Sequence, residues 1–132
     1  MAEPSLNLQL KTVIQTLVQE IKDTSSYRNF EHFQSLLLQD PEAVDKIRQW
    51  EEKESAVIER IENGEADQED LMELQNSSQE LLSNPLILSY FQAQDKLVSV
   101  LQEINREISS ELGFDFANSA AQEEFFNDLE EG

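Results

Sequence analysis

The chain has 132 residues, room for one domain or for one domain with a tail. Asp and Glu number 28 against 9 Lys and Arg, a net charge of −19, which leaves little cationic surface for nucleic acid or an anionic membrane. Leu, Ile, Val and Phe make 38 of the 132 residues, well above the roughly 20% below which strongly charged chains stay unfolded, so a folded core is expected.

The sequence contains no cysteine, which excludes disulfides, thiolate nucleophiles and Cys-ligated clusters. Met1 to Ser5 show neither a basic region nor the start of an apolar one, and no apolar run exceeds three residues. A cytoplasmic protein with no membrane contact is the expectation.

The first amphipathic segment sets Leu10, Val13, Ile14, Leu17, Val18 and Ile21 at helical spacing. Asp23-Thr24-Ser25-Ser26 then interrupts the stripe, either as a bend or as a solvated stretch of one long helix. Tyr27, Phe30, Phe33 and Leu37 resume it. Asp40-Pro41 reads as a cap and a first helical residue, since proline needs no amide partner there. Ala43, Ile47, Trp50, Val57 and Ile61 follow on one seam, and Asn63-Gly64 supplies the stop. Asp67 can cap a helix carrying Leu71, Leu74, Leu81 and Leu82, with Ser78 in the middle of its stripe.

Asn84-Pro85 repeats the cap grammar and opens the clearest helix, whose broad face runs from Ile87 through Tyr90, Leu97, Leu101, Ile104 and Ile108 to Leu112. Gly113 ends it. No strand pattern appears. The predicted fold is therefore all-α, an elongated bundle of about four helices with a short acidic tail. Residues 1–117 form the helical domain and 118–132 the tail. Residues 63–84 hold six acids and no base, and residues 111–132 hold seven and no base.

Catalysis has few candidates. His32 is the one histidine, read as a surface or packing residue, and no imidazole pair exists to hold a metal. Neighbouring carboxylates such as Glu51-Glu52 do not face each other on a helix, and no glycine-rich phosphate loop is present. Neither an enzyme nor a site for a metal, cofactor or small-molecule substrate is expected. Trp50, with Tyr27, Phe30 and Phe33, reads as core or subunit contact. The stripe through Tyr90, Leu97, Leu101, Ile104 and Ile108 is wide for so short a chain, which points to burial partly within the subunit and partly against a second one. Phe114 and Phe116 are expected to fold back on the helix they follow. Phe125 and Phe126, in an acidic-aromatic stretch, either pack on the domain or dock in a groove of a basic partner.

The block Asp40 to Ile47, the Asn63-Gly64 break, Asn84 to Gln94, Leu97 to Ile108 and the Gly113-Phe114-Asp115-Phe116 ending together resemble the YlbF/YmcA family of small helical bacterial proteins, over about residues 8–117. The resemblance implies an all-helical fold, association with itself or with paralogues, and no enzymatic activity. It further implies a part in competence, biofilm and sporulation control, through a complex that assists an RNase Y-type endonuclease in messenger RNA processing. Iron–sulfur cluster binding, which cysteines of complex-forming members help to provide, does not carry over to this cysteine-free chain. The expected function is thus a regulatory adaptor acting by protein–protein contact, with no direct nucleic-acid binding and with a homodimer or paralogue complex as its assembly. The alternative is a small acidic homodimeric chaperone for a basic or aggregation-prone client.

Overall fold

A computed structural model describes residues 6–122. Six helices follow one another: α1 (Leu8–Lys22), α2 (Ser25–Leu38), α3 (Pro41–Glu62), α4 (Gln68–Leu82), α5 (Pro85–Leu112) and α6 (Phe116–Ala121). No strand occurs among the described residues, and the all-α expectation holds. The count differs from the expected four or so, for two local reasons.

The first is at Thr24. Its hydroxyl accepts from the Tyr27 amide at 3.1 Å and donates to the Ile21 carbonyl at 2.7 Å, so one side chain closes α1 and caps α2. The break between the two helices is thereby Asp23-Thr24, and Ser25 and Ser26 already belong to α2. The second is at Asp115, whose carboxylate accepts from the Asn118 amide at 3.1 Å and starts the short α6. Phe114 and Phe116 stay exposed instead of folding back on the helix before them.

The remaining caps lie where the sequence puts them. Asp40 accepts from the Ala43 amide at 3.1 Å, and Asn84 accepts from the Leu86 and Ile87 amides at 3.0 and 3.3 Å. Asp67 and Asp70 cap α4 reciprocally, the Asp70 amide donating to Asp67 at 2.9 Å and the Asp67 amide to Asp70 at 3.2 Å. Gly64 and Gly113 take φ of +72° and +82° just past α3 and α5, the left-handed conformation that glycine alone adopts without strain.

The chain divides into two compact units, Met1–Gln94 and Asp95–Gly132, with α5 beginning in one and ending in the other. In the first unit the core is small. Leu37, Ala43, Leu81 and Ile87 are buried together, one from each of α2, α3, α4 and α5, and Ile47, Trp50, Leu86, Tyr90 and Phe91 pack against them. The residues that start α3 and α5 thus sit directly beside their caps, so capping and core burial fix the same corners. In the second unit Leu97 is the buried residue, and α6 is tied to α5 by polar bonds. The Phe116 amide donates to the Ser109 hydroxyl at 2.8 Å, and the Ala117 amide to the Asn105 side-chain oxygen at 2.9 Å.

Candidate functional site

Trp50 lies on α3 with one part of its ring against the core cluster. Its indole Nε1 donates to the Ser78 hydroxyl on α4 at 2.8 Å, and that hydroxyl donates in turn to the Leu74 carbonyl at 3.0 Å. A serine in the middle of an apolar stripe is explained by this bond, since a half-buried indole N–H needs an acceptor. One turn on, the Lys53 ammonium donates to Ser77 at 3.0 Å and pairs with Glu73 at 3.3 Å. Two turns further, Arg60 pairs with Asp70 at 3.3 Å. Three polar rungs therefore join α3 to α4 along one side. The Asp67 carboxyl at the start of α4 is held below its ordinary value, chiefly by the Asp70 backbone amide, with the Asp70 side chain and the Arg60 guanidinium adding to it.

Beside these rungs opens a cleft of about 600 Å³, to which Lys46, Trp50 and Lys53 of α3, Ser77 and Glu80 of α4, and Asn84 contribute. Nothing in the one-dimensional charge count marks it. Its two lysines fall on the Trp50 face of α3 at helical spacing, and their common outlook is visible only once α4 is in place.

Tyr90, in the same unit, stacks at a tilt on Phe30 with ring centroids 5.6 Å apart and on Phe91 at 5.5 Å. It is a half-buried core residue. His32 is exposed, its ring edge-on to Phe33. In the second unit Leu97 is buried, Ile104 and Ile108 are half-buried, and Leu101 keeps 43% of its surface exposed. Leu101 is thus the one member of the expected self-association stripe that stands open. Phe125 and Phe126 lie outside the described residues. Of the expected docking segment 118–132, residues 118–121 belong to α6.

A further open apolar face lies on α1. Leu10, Val13, Ile14, Leu17 and Val18 form one stripe and are all exposed, Val13 by 58%, and α1 contains no buried residue. The stripe itself was visible in the sequence, but whether a neighbour covers a stripe is a matter of packing. Among the described residues no three His, Asp or Glu side chains come together as a metal site, and no helix is long and apolar enough to cross a membrane.

The order of caps and stripes is that of a small all-helical protein. A family model described as control of competence regulator ComK, YlbF/YmcA, matches residues 11–113. The chain belongs to the YlbF/YmcA family. The match runs from the first turn of α1 to the glycine that ends α5, so it takes in the exposed α1 stripe from Val13 onward, the Trp50 cleft and Leu101. The family is described as regulatory, in competence control. Comparison with curated proteins and with solved structures returns no match.

Proposed function

We propose that this YlbF/YmcA protein is a non-enzymatic regulatory adaptor that works by protein–protein contact, as a homodimer or in a complex with paralogues. The observation that carries this reading is the exposed stripe of α1. Five aliphatic side chains on one helix face, each open to solvent, lose favourable free energy at about 25 cal/mol per Å² until another surface covers them. Leu101 of α5 offers a second open apolar position. Tyr90, Leu97, Ile104 and Ile108 support that helix from inside, Trp50 holds α3 to α4, and Phe125 and Phe126 are proposed as an accessory docking pair.

Any role in messenger RNA processing by an RNase Y-type endonuclease then runs through a protein partner in the cytoplasm, because a chain of net charge −19 has little to neutralise phosphates. Purified protein should leave RNA unretarded at physiological salt while binding a protein component of the processing machinery. Direct RNA binding with a steep salt dependence would contradict the adaptor reading. Suppressed aggregation of several unrelated clients, without one specific partner, would favour a chaperone instead.

A further inference from the structure

We propose that the cleft between α3 and α4 is a second binding site, which takes an extended peptide segment of a partner protein with an aromatic side chain flanked by carboxylates. The site is separate from the α1 stripe and does not depend on self-association.

Charge complementarity is the first argument. Lys46 and Lys53 are two of only 9 basic residues in the chain, and both line the same cleft, against a single acidic lining residue, Glu80. The glutamates that pair with these lysines, Glu42 and Glu73, do not line the cleft, so its lining is richer in cations than most of this acidic chain. Seven residues on one helix place the two lysine backbones about 10 Å apart along α3, with Trp50 between them. In an extended peptide, side chains two residues apart share a face, so the pattern Asp-x-Phe-x-Asp presents carboxylate, ring and carboxylate in that order over about 13 Å. Flexible lysine stems take up the difference.

The second argument is preorganisation. The Nε1 bond to Ser78 and the core contacts fix the indole, and Trp50 lines the cleft, so contact with it costs little further side-chain freedom. Neither lysine is locked away. Lys46 pairs with Glu42 at 3.7 Å through exposed side chains, and Lys53, half-buried and bonded to Ser77, pairs with the exposed Glu73 at 3.3 Å. Exposed pairs of this kind are worth about 0–1 kcal/mol and exchange readily for a better-placed carboxylate. The volume of about 600 Å³ falls within the range of ligand-binding clefts.

Trp50 is the sole tryptophan, so its fluorescence reports the site directly in the full-length protein. Titration with acetyl-Asp-Ser-Phe-Ser-Asp-amide should shift the emission saturably, and the affinity should fall as salt rises. The neutral analogue acetyl-Asn-Ser-Phe-Ser-Asn-amide should bind at least about tenfold more weakly, as should the acidic peptide to the K46Q/K53Q variant. The reversed variant K46E/K53E should prefer acetyl-Lys-Ser-Phe-Ser-Lys-amide. Equal binding of acidic and neutral peptides to the wild type overturns the proposal without reference to any variant. So does the absence of a saturable shift, or displacement of the acidic peptide by inorganic phosphate at matched ionic strength. Each of these results leaves the oligomeric state, and with it the adaptor reading, to be judged separately.

Discussion

Ile87 and Val13 are both aliphatic residues on the apolar face of an amphipathic helix, yet Ile87 is wholly buried and Val13 is 58% exposed. Around Ile87 of α5, three other helices each contribute a buried side chain, and α3 and α5 both start at a proline beside a capping residue. Around α1 the apolar pattern is as regular, but no residue of the helix is buried. Periodicity therefore specifies a helix and a face, while burial needs a neighbour.

That contrast can be broken most severely at its buried end. Ile87→Ala should destabilise the protein by about 2–5 kcal/mol, since it empties space where α2, α3, α4 and α5 meet. Chemical denaturation would show it as a lower midpoint with an unchanged slope. A loss below 1 kcal/mol would mean that the site collapses around the smaller side chain.

Trp50→Phe comes next. It keeps the ring against the core but removes the donor to Ser78, which still bonds to the Leu74 carbonyl. A loss of about 1 kcal/mol is expected from the same measurement. Asn105→Ala should cost less, on the order of 0.5–1 kcal/mol, because it frees the Ala117 amide of an exposed segment. Its clearer signature is faster hydrogen exchange of that amide, with the protection of α3 and α4 unchanged.

The smallest effect concerns pH. The carboxyl of Asp67 is lowered from 3.8 in the folded protein. Its contribution is present above the unfolded value and is lost as pH falls through the folded one. The wild-type α4 should fray only in that acid range. Asp67→Asn keeps a capping oxygen and should remove the acid-range loss of protection, corrected for intrinsic exchange, at the start of α4. An unchanged acid transition in this variant would assign the transition to other carboxylates.

The legibility of the molecule follows the same division between local and distant causes. Asp40-Pro41, Asp67, Asn84-Pro85, Gly64 and Gly113 announce their helix ends because caps and stops use residues within one turn. The break at Thr24 is harder to read, because Asp23-Thr24-Ser25-Ser26 holds neither glycine nor proline and helical spacing resumes at Tyr27. The short α6 was not legible, as its amides bond to Ser109 and Asn105, seven and twelve residues away in sequence. At the candidate site, Trp50 stood out by residue type, and Ser78 as a gap in a stripe that its partner later explained. Lys46 and Lys53 did not stand out, because their meaning comes from α4 lying across from them. Leu101 belongs to a stripe expected to be buried partly within the subunit and partly against a second one; within the chain it is exposed, so Leu101→Asp should leave the single chain folded.

The exposed face of α1 is the claim on which the functional account rests, and sedimentation equilibrium of the wild type and of Val13→Asp tests it most directly. At tens of micromolar the wild type should sediment as a dimer, and Val13→Asp, with an unchanged helical spectrum, should sediment as a monomer. A wild type that stays strictly monomeric across that range, or a Val13→Asp variant that dimerises as well as the wild type, would contradict the account.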